Sequence, residues 1–316
     1  MIYTVTLNTA IDRILYVENQ LTRKKNNVIN SIGYDIGGKA THVSVVLAKM
    51  KIDNIATGFI GEHHSALLLS MLQSHQVKSN FIVQKGCRTR ESTVIVDDSG
   101  NGSFMMTEKG FEISESSHIK LVNYLQENVK KGDLIVFAGS PPSGYSIDNY
   151  RQLLETVTKK GGLLVIDAAK EFLREAIKQK PYLIKPNEDE LNELIGKSLT
   201  KDHEYIEEII KLHQKGVEVV VISLGKKGSF IGFAQQYFKV TPPVVEEVND
   251  TGCGDAFVGG MVAGLTKDTE DILNAVRFAT AVSALKATQK TSSIPSLHHI
   301  DEWMEAVQIE RIGEEE

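Results

Sequence analysis

Leu134-Ile135-Val136-Phe137-Ala138-Gly139-Ser140 is an unbroken apolar run that ends on a glycine and a serine. Runs of this kind suit strands buried on both faces, as in a parallel sheet covered by helices. Leu163-Leu164-Val165-Ile166-Asp167, Tyr182-Leu183-Ile184-Lys185 and Val217-Glu218-Val219-Val220-Val221-Ile222-Ser223 repeat the pattern, each followed by a helical stretch. The alternation predicts an α/β fold with a mostly parallel central sheet. Ser140, Asp167, Asn187, Glu190, Ser223 and Gly225 collect just past the strand ends. A parallel sheet brings such positions to one crevice edge, where α/β proteins bind ligands. Each could be a simple turn residue, and their recurrence after strand upon strand is the stronger argument.

Upstream, Met1 to Asn8 reads as a strand that starts at once, with no basic or long apolar leader before it. Asp12 follows, either a sugar-hydroxyl acceptor at a strand end or a turn-forming residue. Short strands are expected from 14 to 36, broken by Thr22-Arg23-Lys24-Lys25-Asn26-Asn27. That run is a solvated loop that could also present cations to a substrate phosphate. Gly33-Tyr34-Asp35-Ile36-Gly37-Gly38-Lys39-Ala40 comes close to a P-loop, but Ala40 lacks the hydroxyl that such a loop places on magnesium. It reads instead as a Gly-Gly turn that lets backbone approach a ligand, with Lys39 as a charge, ahead of a helix over 43–50. A strand near 55–60 and a helix over 65–72 form another β–α unit, and His63 and His64 read as surface residues rather than metal ligands. Ser92 to Val96 and Ser103 to Thr107, joined through Asn101-Gly102, predict a β-hairpin. With the strands of 14–36 it should form a separate small sheet, able to close over a pocket or to pair with its copy in a dimer.

The 316 residues carry a net charge of −6, with 41% hydrophobic and 24% charged residues, which marks a folded chain throughout. One large domain with a small appendage fits this length as well as two equal domains do. Without a basic stripe there is no support for a nucleic-acid or membrane-surface partner. Cys87 and Cys253 lie far apart with no CxxC pattern, so neither a disulfide framework nor a zinc site is expected, and the cytoplasm is the natural home. No segment approaches the roughly 18 uninterrupted apolar residues of a membrane helix.

Asn249-Asp250-Thr251-Gly252-Cys253-Gly254-Asp255-Ala256-Phe257-Val258-Gly259-Gly260 reads as a glycine-rich turn entering a helix. Unpaired N–H groups and the positive end of the helix dipole suit an anion such as a phosphate in transfer. A carboxylate beside an anion site is costly unless it accepts a proton from a nucleophile, which points to Asp255 as a base. An ordinary helix start with an acidic first turn is the alternative. Asn187-Glu188-Asp189-Glu190 sets an amide and a carboxylate on one helix face, hard donors that suit Mg²⁺ held through waters and phosphates, or else a plain acidic first turn. An apolar-faced helix is expected over 272–287, its Ala275, Phe278, Ala281 and Ala284 better suited to core packing than to an adenine ring. Trp303 falls in a last helix packed on the sheet, and 313–316 reads as a frayed acidic tail.

Taken in order, these stretches resemble the PfkB/ribokinase family of carbohydrate kinases, and within it the branch of 1-phosphofructokinases and tagatose-6-phosphate kinases. The resemblance spans almost the whole chain and is carried most specifically by Asp250-Thr251-Gly252-Cys253-Gly254-Asp255-Ala256-Phe257. Gly37-Gly38-Lys39, Thr89-Arg90, Gly139-Ser140, Lys185-Pro186-Asn187-Glu188-Asp189-Glu190 and Ser223-Leu224-Gly225-Lys226-Lys227-Gly228 support it. It implies a three-layer αβα core over 1–11, 37–88 and 110–316, and a discontinuous β lid over 12–36 and 89–109 that makes a homodimer contact. It implies Asp255 as catalytic base and Gly252, Cys253 and Gly254 as the anion hole for a transferring phosphoryl group. Asn187 and Glu190 would organise Mg²⁺, and Lys185, Asn187, Ser223, Gly225 and Gly228 would address ATP. Asp12, Gly37, Gly38, Lys39, His42, Arg90 and Ser140 would address the sugar phosphate.

The chain departs from the family pattern on the sugar side. Gly-Gly-Lys-Gly-(Ile/Leu)-Asn becomes Gly37-Gly38-Lys39-Ala40-Thr41-His42, which exchanges a sugar-binding amide for imidazole. Thr89-Arg90-Glu91-Ser92 replaces a Thr-Arg-(Ile/Asn)-Asn-like stretch, and a family arginine gives way near Asn26-Asn27, leaving Lys24 or Lys25 as phosphate contacts. The implied reaction is ATP-dependent phosphorylation of fructose 1-phosphate or tagatose 6-phosphate to the bisphosphate. A kinase of an unphosphorylated sugar or nucleoside, and a catalytically silent sugar-phosphate sensor, remain as alternatives. A dinucleotide dehydrogenase is disfavoured, because no G-x-G-x-x-G follows an early strand.

Overall fold

The structure, a computed structural model, describes residues 1–97, 103–289 and 296–313. β1 (Ile2–Thr6) leads into β2 (Ala10–Val17) and β3 (Ile29–Gly37), then α1 (Lys39–Lys49). β4 (Asn54–His63), α2 (Ser65–Ser74) and β5 (Lys78–Arg88) precede β6 (Arg90–Val96) and β7 (Ser103–Thr107). Strand and helix then alternate through α3 (Glu115–Asn128), β8 (Leu134–Ala138), α4 (Ile147–Lys159), β9 (Leu163–Asp167), α5 (Lys170–Lys178), β10 (Leu183–Ile184) and α6 (Glu188–Ile195). Next come α7 (Asp202–Gln214), β11 (Val219–Ser223), β12 (Ser229–Phe233), β13 (Gln236–Thr241), α8 (Cys253–Lys267), α9 (Ile272–Ala287), α10 (Ile300–Glu305) and β14 (Gln308–Ile312).

The large sheet has ten strands in the order β14-β13-β12-β11-β10-β9-β8-β1-β4-β5. Every neighbouring pair from β11 to β5 is parallel, whereas β12, β13 and β14 add on antiparallel. Successive side chains on a strand point to opposite faces, so each apolar run feeds two cores. On β8, Ile135 and Phe137 join one core with Leu121 of α3, Tyr150 of α4, Leu173 of α5 and Ile209 of α7. Leu134, Val136 and Ala138 join the other, with Val43 of α1, Met261 of α8 and Ala275 of α9. Helices on both faces of the sheet make the expected three layers. Ala275 and Ala281 are buried in that second core, which bears out packing as their role.

The small sheet has the order β3-β2-β6-β7, so both insertions contribute to it as expected. β2 pairs parallel with β6, and each pairs antiparallel with its own hairpin partner. Ile11 and Ile36 bury its root against Val45, Ile60, Leu68 and Leu72. Asn101-Gly102, the turn of the predicted hairpin, lies outside the described residues, as does 314–316 of the predicted tail.

Some expectations are corrected in detail. The helix after Gly38 starts at Lys39, four residues earlier than its apolar face suggested. β10 is only two residues long. Trp303 does fall in the last helix and packs on the core, but an unexpected strand follows it, Gln308-Ile309-Glu310-Arg311-Ile312, paired with β13 at the sheet edge. With only two apolar residues this half-exposed edge strand carries little hydrophobic signal.

Candidate active site

The turn before α8 is held from behind by α9. The Val248 and Asn249 amides donate to the Ala287 carbonyl, Ser283 Oγ donates to the Cys253 carbonyl, and the ammonium of Lys286 lies 3.3 Å from the Asn249 carbonyl. Gly252 caps α8 at φ 83°, a left-handed conformation that a side chain rarely adopts, and no side chain caps the helix. The first-turn amides therefore have no partner inside the helix, the usual condition for binding an anion. Cys253 departs from the expected hole, since its N–H donates back to the Asp250 carbonyl at 3.0 Å. Burial pushes its thiol up to about 11, so the side chain stays protonated. Asp255 stands third in the helix and is only 6% exposed.

A second cluster faces this turn. Asp167, the last residue of β9, is 1% exposed and lies 3.2 Å from the ammonium of Lys185 and 3.4 Å from that of Lys39. Burial works against its charge, but the two lysines outweigh burial and hold its carboxyl below the usual range. Lys39 is held above the usual lysine range, chiefly by Asp167 against the opposing effect of burial, with Glu190 also close at 3.7 Å. Lys185 Nζ stands 3.7 Å from where a Gly254 side chain would begin, which sets a buried cation beside the glycine turn. Gly139 packs on the stem of Lys39, with Ser140 exposed next to it.

Asn187 and Glu190 form a capping box at the start of α6. Asn187 Oδ1 accepts from the Glu190 amide at 2.8 Å, and Glu190 Oε2 accepts from the Asn187 amide at 2.9 Å. An isolated parallel bridge couples Asn187 to Ser223, which carries the loop with Gly225 and Gly228 into the same edge. Among the described residues no group of three His, Cys, Asp or Glu could cage a metal ion. Hard oxygens without a cage fit a divalent cation held mainly by phosphates and water, as Mg²⁺ is.

The sugar-side residues gather where the small sheet meets α1. A side chain at Gly37 would collide with the Asp12 carboxylate and Ala10, so the absence of one lets β3 press against β2 there. Asp12 is pushed up to about 6, because burial and Asp35 outweigh His42, Ser92 and Arg90. Arg90 donates to the Asn8 carbonyl through Nε at 3.3 Å and Nη2 at 3.1 Å, and to the Glu108 carbonyl through Nη1 at 3.3 Å. His42 reaches from α1 to α8 and to β3. Its Nδ1 is 2.9 Å from Asp255 Oδ2, and its Nε2 bonds the Ile36 carbonyl. Lys24 and Lys25 are exposed in the turn between β2 and β3.

Two residues in this region had no role assigned from the sequence. Asp167 was visible as a strand-end acid, but nothing in its neighbourhood foretold two lysine partners. Lys286 is fully buried on α9, and its one signal is a lysine at helical spacing from Ala279 and Val282.

The chain is 28% identical to a tagatose-6-phosphate kinase of Staphylococcus epidermidis over 313 residues, 98% of this chain and 99% of that one. A crystal structure from Staphylococcus aureus, provisionally described as a phosphofructokinase, superposes with a TM-score of 0.84 at 28% identity over the full length of both chains. Phosphofructokinase-2 from Escherichia coli, in complex with potassium, shares the fold at a TM-score of 0.90 and 22% identity, covering 96% of this chain and 98% of that one. A model of the pfkB family carbohydrate kinases matches residues 3–299. On this match over almost its whole length, the chain belongs to the pfkB family of carbohydrate kinases.

Proposed function

We propose that the protein transfers the γ-phosphoryl group of ATP to a hydroxyl of a ketohexose phosphate, fructose 1-phosphate or tagatose 6-phosphate, giving the bisphosphate. The observation that carries this reading is Asp255, nearly buried in the first turn of α8 beside the open amides of the glycine turn and 2.9 Å from His42. Asp255 takes the acceptor proton, the acceptor oxygen forms the new bond to phosphorus, and the electron pair of the broken bridging bond leaves with ADP. Gly252 and Gly254 hold the charge of the transferring group, and Lys185, paired with Asp167, adds a fixed cation. Asn187 and Glu190 would hold Mg²⁺, which supplies charge neutralisation of the nucleotide phosphates. Ser223, Gly225 and Gly228 border the nucleotide. Asp12 accepts from the sugar, and Lys39 and Arg90 address its phosphate.

The lid comprises 12–36 and 89–109, and its exposed face is the surface on which two copies pair. Ile32, Tyr34, Phe104, Met105 and Met106 are all more than 45% exposed there, at 47%, 52%, 57%, 49% and 56%. An apolar patch next to an unpaired edge strand suits β-sheet association. Sedimentation that finds only monomer at working concentration would remove this assembly.

ADP release, measured across fructose 1-phosphate, tagatose 6-phosphate, fructose 6-phosphate and free sugars, tests the substrate. Asp255→Asn should lower kcat by at least ~10²-fold with little change in KM for ATP. Near-normal turnover in that variant would sink the assignment. One observation favours an unphosphorylated acceptor as a second reading: Arg90 already donates to two carbonyls, and Lys39 already faces two carboxylates. Preferential turnover of a free sugar in the same screen would establish it.

A further inference from the structure

His42 lies in the first turn of α1, with its side chain 14% exposed against an Asp255 side chain that is 9% exposed. Its ring spans two elements. Nδ1 meets Asp255 Oδ2 on α8 at 2.9 Å, and Nε2 meets the Ile36 carbonyl on β3, one residue before the end of that strand. A carbonyl can only accept, and so can an ionised carboxylate. A neutral imidazole has a single N–H, so one of these contacts would then set lone pair against lone pair. The alternative, neutral imidazole with the proton on Asp255, would leave the carboxyl unable to take a proton from any acceptor. Only the doubly protonated ring satisfies both bonds beside a working base.

The charges facing the ring agree. Asp255 on α8 and Asp12 on β2 favour the cation, with Asp35 on β3 next to Asp12. Lys39 on α1, Arg90 on β6 and Lys286 on α9 are the cations of the same neighbourhood, each engaged with a carbonyl or carboxylate of its own. Burial opposes the charge of His42, but the bond to Asp255 and the two carboxylates win and push it up to about 9.

From this arrangement we infer that His42 is a positioning residue for Asp255: an imidazolium clamped between the α8 carboxylate and the carbonyl of Ile36 fixes Oδ2 and leaves Oδ1 to the acceptor hydroxyl. This rests on Asp255 being the base. The acceptor's proton passes to Oδ1, and both ring protons of His42 stay where they are. Because Ile36 belongs to the small sheet, the clamp also makes the aim of the base depend on where that sheet stands. The departure at position 42 thus acts on the catalytic carboxylate rather than on the sugar.

The test is kcat and KM against pH for the wild type, His42→Ala, His42→Asn and Asp255→Asn, with tagatose 6-phosphate and fructose 1-phosphate as acceptors, alongside ¹⁵N NMR of the His42 ring in the wild type. The ring should show two protonated nitrogens at neutral pH, and wild-type kcat should fall as pH rises through about 9. His42→Ala should lose ~10- to 100-fold in kcat, the scale of a misplaced catalytic group, with KM for ATP unchanged. His42→Asn should recover most of that loss, since its amide also donates to the carboxylate, and should lack the fall near pH 9. A neutral ring, an undiminished kcat in His42→Ala, or a retained alkaline fall in His42→Asn would overturn the proposal. An active Asp255→Asn would instead overturn the reading of Asp255 on which it rests.

Discussion

Replacing Asp167 by Asn should destabilise the protein far more than the loss of one hydrogen-bond acceptor would. The Lys185 side chain is 5% exposed and that of Asp167 1%, so the substitution strands an ammonium with neither solvent nor counter-ion. Breaking a buried pair by removing one partner costs about 3–5 kcal/mol, a large share of the roughly 5–15 kcal/mol by which folded domains are stable. Lys39, with a side chain 42% exposed, is solvated enough that its share is small, about 0–1 kcal/mol. The carboxyl of Asp167 titrates below its unfolded value, because Lys185 and Lys39 overcome the effect of burial. Its stabilising contribution is therefore complete above the ordinary aspartate range and is lost as pH falls through the lower folded value. Urea unfolding followed by Trp303 fluorescence at neutral pH is the assay. Asp167→Asn should lower the midpoint, and adding Lys185→Met should restore most of the loss, because a neutral apolar replacement removes the stranded charge. A single-mutant cost under about 1 kcal/mol, or a double mutant no more stable than the single, would refute the buried-pair account.

Two further outcomes bear on the sugar side. Burial pushes Asp12 up from the ordinary aspartate range to about 6, so its ionised form costs the fold up to roughly 3 kcal/mol. That cost is absent below about pH 4, grows as pH rises towards 6 and is complete above it. Asp12→Asn should therefore raise the melting temperature at neutral pH and not in acid, while KM for the sugar phosphate rises; an equal shift at both pH values would contradict this. Arg90→Gln should raise KM for a phosphorylated sugar at least ~10-fold, as expected for losing a charged hydrogen bond, and leave KM for ATP and for free sugars unmoved. An equal effect on phosphorylated and free acceptors would assign Arg90 to holding the Asn8 and Glu108 carbonyls instead.

The parallel strands and the glycine turn were legible because their signals are local. An unbroken apolar run suits burial on both faces, and Gly252-Cys253-Gly254 ahead of an apolar stretch marks a turn entering a helix. The small sheet was legible from two hairpin-like patterns, although not the parallel β2–β6 pairing that joins them. What stayed hidden was contact between distant residues. Lys185 and Lys39 converge on Asp167 only because β9, β10 and α1 meet at one edge, and His42 reaches Asp255 across 213 residues of chain. Spacing carries no trace of such pairs. The antiparallel extension escaped for another reason: half-exposed edge strands such as β14 have too little apolar character to stand out.

The parallel seam between β2 and β6 also sets an order of events. It aligns Ala10 with Arg90, which are about 80 residues apart, and β4, α2 and β5 lie between them in the chain. The two arms differ from the seam in that each can pair locally, β2 with β3 and β6 with β7. Joining them means closing a long loop whose entropy cost falls due before any contact across it forms. That loop is already closed once β4 and β5 have taken their places in the large sheet. The small sheet is thus expected to assemble after the core that brings its halves together. Two-stranded arms are marginal on their own, so neither would persist if cut free.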